Sequence, residues 1–108
     1  MSVQMRRRHI MVAGNLMTIR HETSSLCYAD VVRIDSQIRC CNKLSGTVVI
    51  DLTNTTRTST AAFARLILMR RRLMKSGGDL FVSGLGGQAV ALYKTHRLTD
   101  LLPHVNDV

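Results

Sequence analysis

Residues 47–52 read TVVIDL and residues 79–83 read DLFVS, and these two apolar runs decide the fold class of the chain. Each run is too continuously hydrophobic for a strand with one face in water, so each is predicted to be a buried strand. Between them, residues 60–75 (TAAFARLILMRRRLMK) place apolar side chains at helical spacing. A strand, a helix and a second strand in this order predict parallel pairing through a right-handed crossover, the repeating unit of an α/β fold.

The N-terminal part of the chain adds a predicted hairpin and helix. Residues 7–14 and 16–21 are short apolar or alternating runs separated by a Gly-Asn turn pair, which predicts a β-hairpin. A helix is predicted from about Ser24, with Ser24 or Ser25 as its cap, to the Leu-Ser-Gly at residues 44–46. Its apolar face repeats every three or four residues and consists of Leu26, Val31, Ile34, Ile38 and Cys41.

The C-terminal part completes a single predicted domain. Residues 84–87 form a turn, residues 88–94 a short helix, and the leucine-rich residues 98–105 pack back on the core. A chain of 108 residues is long enough for one domain and too short for two, so residues 1–108 are predicted to form one α/β domain. Sheets of this type bind partners at the carboxyl ends of their strands, which directs attention to the loop at residues 53–59.

Composition indicates an ordinary globular protein in a reducing, cytoplasmic setting. The three cysteines include the adjacent pair Cys40 and Cys41 within a predicted helix, which argues against disulfides. No cysteine or histidine pair has the spacing of a zinc site, and we expect neither a metal nor a cofactor. The apolar run after the arginines at residues 6–8 covers only residues 10–13, too little for a signal peptide or a membrane span.

The net charge of +8 is concentrated in two patches. Residues 1–20 carry four arginines and residues 65–75 carry five cations, and neither segment contains an acid. Such patches attract acidic proteins, nucleic acid or anionic membranes without selecting among them. A nucleic-acid partner is disfavoured because the sequence has neither a helix-turn-helix signature nor an aromatic platform for stacking bases.

The helix at residues 60–75 has two distinct sides. A helical projection places its core side at Ala62, Phe63, Leu66, Ile67, Met69, Leu73 and Met74. The stem of Arg70 is predicted to lie along the same apolar side while its head reaches water. The opposite side is a strip of small residues with one exposed leucine and a rim of cations: Ala61, Ala64, Arg65, Leu68, Arg71, Arg72 and Lys75. The strip is either a solvated face, which is common, or a surface that admits a partner closely.

The loop before this helix favours the second interpretation. Five hydroxyl side chains occur in six residues and are predicted to surround the helix N-terminus: Thr55, Thr56, Thr58, Ser59 and Thr60. Capping needs only one of them. The free N–H groups and the dipole of a helix N-terminus stabilise a phosphate or a carboxylate, so the additional hydroxyls indicate a functional site.

From Thr47 to Leu102, the order of these segments resembles the STAS domains of bacterial anti-sigma-factor antagonists. The resemblance is carried by the strand VVIDLT, the hydroxyl-rich loop, the helix TAAFARLILMRRRLMKSGG and the strand DLFVSGL. It implies a STAS-like α/β fold with a mixed central sheet, parallel core strands and helices packed mainly on one side. In that family a serine or threonine at the helix start is phosphorylated by a partner kinase.

The family motif carries over residue by residue only in part. Asp51 and Leu52 match the family's Asp-Leu, and eight residues later Ser59 stands where the family usually has Asp. Thr60 keeps a hydroxyl at the next position, whereas Ala61 occupies the serine position of the sporulation-type antagonists. The resemblance therefore implies Thr60, with Ser59 beside it, as the candidate for phosphorylation. Together with the strip on the helix at residues 60–75, it predicts a partner-binding surface composed of Asp51, Arg57, Thr58, Ser59, Thr60, Ala61, Ala64, Arg65, Leu68 and Arg72.

The expected function is that of a non-enzymatic regulatory module that binds an anti-sigma factor or serine kinase. An alternative within the family is the small STAS subunit of lipid-transport ABC complexes, which docks on an ATPase and carries Asp-Thr-Gly-Gly where this chain has Ser-Thr-Ala-Ala. Self-association as a homodimer stays open. An enzyme is disfavoured because the glycines at residues 84–87 lack the second βα unit that a dinucleotide site needs, and no nucleophile is paired with a base.

Overall fold

The fold is built on a five-stranded sheet. The computed structural model describes residues 10–40 and 46–105 of the chain. Its elements, with those of a second small sheet, are β1 (Ile10–Ala13), β2 (Leu16–Arg20), β3 (Ser25–Leu26), α1 (Tyr28–Cys40), β4 (Thr47–Asp51), β5 (Arg57–Thr58), α2 (Thr60–Lys75), β6 (Asp79–Ser83), α3 (Gly87–Thr95) and β7 (His104–Val105). The arginines at residues 6–8, the predicted strand residues 7–9, Cys41 and the predicted helix end at residues 44–45 lie outside the described residues.

The central sheet is mixed, as predicted. Its strand order is β1-β2-β4-β6-β7. The hairpin β1–β2 is antiparallel around Gly14 and Asn15, while β2–β4, β4–β6 and β6–β7 are parallel. The two apolar runs predicted as buried strands are therefore the adjacent strands β4 and β6, and the crossover between them is α2.

One face of the sheet carries the hydrophobic core. Alternate residues of the three central strands are buried on this face: Met17, Ile19, Val48, Ile50, Leu80 and Val82. They form one cluster with side chains from all three described helices, among them Val31, Ile34, Ile38, Ala62, Phe63, Leu66, Met69 and Tyr93. Leu98 and Leu102 join the same cluster, so the chain end packs back on the core as predicted. The predicted packing of helices mainly on one side of the sheet is confirmed.

Helix α2 matches the prediction at both ends. The Ser59 hydroxyl accepts a hydrogen bond from Ala62 N at 3.1 Å and caps the first turn. At the other end, Gly78 N donates to Leu73 O at 2.9 Å. The predicted core position of Met74 is wrong, because its side chain is 48% exposed. Helical periodicity identifies a face of a helix but not how far along the helix that face stays covered.

The prediction for Arg70 is also wrong. Its Nε donates to Asp79 Oδ1 at 2.7 Å, and its Nη1 donates to the carbonyl oxygens of Asp100 and Leu101 at 3.1 and 3.2 Å. The guanidinium is thus bound by other parts of the chain, and the Arg70 side chain is only 16% exposed. It ties α2 to the start of β6 and to the C-terminal segment.

The start of α1 differs from the prediction as well. The helix begins at Tyr28, and the residues predicted as its first turn include Ser25 and Leu26 of β3, which pairs in parallel with β5. Asp30 Oδ2 accepts a hydrogen bond from Cys27 N at 2.9 Å, so an acid in the first turn fixes the helix start. A two-residue strand has no periodicity, which is why the sequence pattern did not indicate it.

Candidate functional site

The candidate site lies where the parallel strands end and α2 begins. Asp51, the last residue of β4, uses its carboxylate to fix the loop that follows. Its Oδ1 accepts hydrogen bonds from Thr53 N at 2.9 Å and Thr53 Oγ1 at 2.5 Å, and its Oδ2 accepts one from Arg20 Nε at 3.3 Å. Burial acts to raise the pKa of Asp51, but the bonds from Thr53 and Arg20 outweigh it and lower the pKa below its ordinary value. Asp51 is therefore a charged anchor for the loop.

Three of the five loop hydroxyls are engaged within the chain. Thr55 is buried and donates to Thr23 O at 2.9 Å, and Thr58 donates to Leu26 O at 2.9 Å. Ser59 caps α2. The prediction that all five hydroxyls surround the helix N-terminus is wrong, because Thr55 and Thr58 instead hold the loop against the segment before α1.

Thr60 is a hydroxyl that the fold leaves available in the first turn of α2. It is the first residue of α2, it is exposed, and its side chain makes no hydrogen bond within residues 10–40 and 46–105. The two candidates for modification are thus separated by geometry, because Ser59 is occupied by capping and Thr60 is not. Arg57 is exposed two residues before Ser59, in the short strand β5.

The small residues of α2 form an exposed surface next to Thr60. Ala61 and Ala64 are exposed, and Leu68 is 54% exposed. We call Thr60, Ala61, Ala64 and Leu68 the docking face. Beside it lies an open depression of about 190 Å³ that the sequence did not indicate, lined by Thr60, Phe63, Ala64, Ile67, His96 and Leu98.

The predicted cationic rim has an internal role that the projection of this one helix did not show. Arg65 Nη2 lies 3.0 Å from Asp35 Oδ2, and Arg72 contacts Asp35 Oδ1. Asp35 belongs to α1, and its side chain is only 3% exposed. Arg65 also lies over the ring of Tyr28, 5.9 Å from its centroid. These contacts fasten α1 to α2 along one side of the docking face.

A signal for this network was present in the sequence. Asp35 lies among Val31, Ile34 and Ile38, which are the buried residues of α1. A carboxylate on the apolar face of a helix needs cationic partners from another element, since an unpaired buried charge is costly. The sequence pattern alone does not say which of the fifteen lysines and arginines supply them.

Two further properties concern the described part of the chain as a whole. Among residues 10–40 and 46–105, no helix has both the length and the apolar character needed to cross a membrane. Within the same residues, no three His, Cys, Asp or Glu side chains are grouped so that they could hold a metal ion. Cys27 and Cys40 are free thiols.

Comparisons with known proteins establish similarity of fold. No protein-family model matches the sequence, and no curated protein matches it either. The crystal structure of Mglu matches over 69% of this chain and 19% of its own, with a TM-score of 0.59 and 16% identity. The murine Solute Carrier 26 family member A9 anion transporter, in its inward-facing state, matches over 91% of this chain and 17% of its own, with a TM-score of 0.71 and 9% identity.

A third structure is close in size to this chain. The NMR structure of the protein TM1081 matches over 90% of this chain and 78% of its own, with a TM-score of 0.73 and 6% identity. By contrast, this chain spans only about a fifth of the length of Mglu and of the murine transporter. At these identities the likeness concerns the fold, and with the observed sheet it supports the predicted STAS-like α/β architecture.

Proposed function

We propose that this chain is a non-enzymatic, STAS-like regulatory module that binds a partner protein through the docking face and the loop before it. The observation that carries the proposal is the exposure of Ala61, Ala64 and Leu68 in a row on α2, next to an open apolar depression. Alanines allow another backbone to approach closely, and an apolar side chain of the partner can fill the depression. Leu68, at the C-terminal end of the docking face, is a large apolar side chain that is 54% exposed and that a partner would remove from water.

The partner that this surface fits best is an acidic protein of the anti-sigma-factor or serine-kinase type. Arg57 and Lys75 are exposed beyond the two ends of the docking face, and the chain carries a net charge of +8. Complementary charges on a partner would speed association and orient it. The free thiols of Cys27 and Cys40 support a reducing compartment, and we place the module in the cytoplasm.

A transport protein is the second candidate partner. The likeness to a segment of an anion transporter, about a sixth of that chain, favours a module that docks on transport machinery, including the ATPase of a lipid-transport ABC complex. The same docking face would be used. The partner recovered in the experiment below distinguishes a kinase from a transport protein.

Leu68→Asp is expected to weaken partner binding at least tenfold, because a partner that docks on this face would have to bury an unpaired charge. Immobilised wild-type chain, Leu68→Asp and Val12→Asp would be incubated with cell lysate, and the retained proteins quantified by mass spectrometry. Val12 is the matched control, an exposed apolar residue in edge strand β1. A protein retained by wild type and Val12→Asp but depleted with Leu68→Asp is the expected result. Equal retention by all three chains would contradict the docking face.

We further propose that phosphorylation of Thr60 switches this binding. A phosphate adds a charge of about −1.5 to −2 at the first turn of α2, where N–H groups and the helix dipole tolerate it. The same charge lies beside Ala61, Ala64 and the apolar depression, so a partner would have to bury it on docking. Binding is therefore lost while the fold is retained.

Thr60→Asp is expected to weaken the affinity for the recovered partner at least tenfold, with a melting temperature close to that of wild type. Thr60→Val is the matched control, because it keeps the β-branched shape and removes only the hydroxyl. It should bind as well as wild type and resist the partner kinase. Titration calorimetry measures both affinities. If Thr60→Asp bound the partner as tightly as wild type, the proposal that phosphorylation of Thr60 switches binding would be refuted.

A further inference from the structure

A second cleft lies between α1 and α2, distinct from the docking face. Its volume is about 360 Å³, within the roughly 300–1,000 Å³ typical of small-molecule sites. Ile38, Met69 and Leu73 give it an apolar side. Arg39 and Arg72 line it as well, together with Asp35. The cleft therefore combines an apolar surface with guanidinium groups.

The charges around this cleft do not balance. Asp35 is the single carboxylate that Arg39, Arg65 and Arg72 share, with Arg39 Nε at 3.3 Å and Arg65 Nη2 at 3.0 Å. Three cations around one anion leave an excess of two positive charges. Arg39 and Arg72 are 61% and 44% exposed, so the excess charge is open to solvent.

The arginines also keep unused hydrogen-bond donors. A guanidinium has five N–H groups. Among the described residues, Arg39 donates through Nε and Arg72 through Nη2, both to the same Asp35 oxygen. The buried Nε of Arg65 has no partner in the described part of the chain. Arg39 and Arg72 can thus bind a second anion without releasing Asp35.

We propose that this cleft binds a small amphipathic anion, a carboxylate or phosphate attached to an unbranched apolar chain. The acid group would be held by Arg39 and Arg72, which suit planar or tetrahedral oxyanions. The apolar chain would lie against Ile38, Met69 and Leu73, removing their exposed surface from water. A lone phosphate would leave the apolar side of the cleft unfilled, and a neutral lipid would leave the excess charge unpaired.

Decanoate is the probe that tests the proposal, measured by titration calorimetry and by amide shifts in ¹H–¹⁵N spectra of the wild-type chain. Saturable shifts are expected at Ile38, Arg39 and Leu73. Acetate, which has the head without the tail, and 1-decanol, which has the tail without the head, should each bind at least tenfold more weakly. Arg39→Gln should weaken decanoate binding several-fold and fold normally, because this arginine is largely exposed. Arg71→Gln is the matched control, because Arg71 is an exposed arginine outside the cleft lining, and it should bind as wild type does.

Three results would overturn the proposal. The first is the absence of saturable shifts at the cleft residues. The second is an equal loss of binding in Arg39→Gln and Arg71→Gln, which would indicate general attraction to a basic protein. The third is sedimentation with phosphatidylglycerol vesicles without a response to decanoate, which would indicate a membrane surface as the ligand. None of these results depends on partner binding at the docking face.

Discussion

Replacing Asp35 with alanine is expected to lower the free energy of unfolding by about 1.5–3 kcal/mol, the range for hydrogen bonds to charged groups. Asp35 is 3% exposed and joins α1 to α2 through Arg65 and Arg72. Without the carboxylate, Arg65 and Arg72 lose the counter-charge that they share and repel one another across the junction of α1 and α2. Chemical denaturation monitored by circular dichroism measures the loss, because unfolding of a domain of this size is expected to be two-state.

Arg39→Ala is the matched control for this experiment. Arg39 contacts the same carboxylate from one turn away on α1, but its side chain is 61% exposed. Removing the Arg39 side chain should lower the free energy of unfolding by only about 0.5 kcal/mol, the value typical of a solvent-exposed ion pair within a helix. If Asp35→Ala costs no more than Arg39→Ala, the cluster is screened like a surface ion pair, and its role in joining the helices is refuted.

The elements that the sequence predicted well are those with long periodic or apolar patterns. Strands β4 and β6 were located by their continuous apolar runs, and helix α2 by apolar side chains that recur at helical spacing over sixteen residues. The ends of α2 were also predicted, since Ser59 supplies a cap and the glycines at residues 77–78 end the helix. Over this part of the chain, the local sequence signals and the tertiary packing favour the same secondary structure.

The loop before α2 could not be predicted in the same way. Strands β3 and β5 contain two residues each, and their pairing joins segments about thirty residues apart. The hydrogen bonds of the Thr55 and Thr58 hydroxyls depend on that pairing, because both donate to carbonyl oxygens in or near β3. A count of hydroxyls in the sequence therefore overestimated how many face solvent at the helix start.

The sequence predicted which side chains of the site are exposed, but it did not predict the ion pairs that the arginines of α2 form. The helical projection placed Ala61, Ala64 and Leu68 on the side away from the core, and all three are exposed. It also assigned Arg65 and Arg72 to a free cationic rim, whereas both bind Asp35. A projection of one helix contains no information about which neighbouring helix approaches it, so the ion pairs could not follow from it.

The same ion pairs limit what the cations of α2 can do for a partner. Arg65 and Arg72 are already engaged by Asp35, so steering by charge is left mainly to exposed side chains such as Arg57 and Lys75. Mutating Arg65 would disturb the junction of α1 and α2 before it tested recognition. Leu68 and Thr60 are the sharper probes of the docking face for this reason.

Gly84→Ala is expected to lower the free energy of unfolding by about 2–5 kcal/mol. A left-handed backbone accounts for roughly 1–2 kcal/mol of this loss and overpacking for roughly 1–3 kcal/mol. Gly84 has a φ of +74°, and a Cβ atom there would lie 2.5 Å from Thr53 Oγ1 and 2.8 Å from Thr53 Cα. Thr53 cannot move away freely, because Asp51 binds both its N–H and its hydroxyl. The added methyl group would therefore disturb the loop that leads to Thr60.

Gly77→Ala separates the two contributions. Gly77 has a φ of +90°, but a Cβ atom there would have no neighbour within 4 Å, so only the backbone cost of roughly 1–2 kcal/mol is expected. Denaturant titrations of both variants give the difference, which is the cost of the contact with Thr53. Amide shifts at residues 53–56 should accompany Gly84→Ala and be absent from Gly77→Ala. Equal losses in the two variants would mean that the close approach of Gly84 to Thr53 does not constrain the loop, and the site would then lack the rigid support that Asp51 and Thr53 are argued to give it.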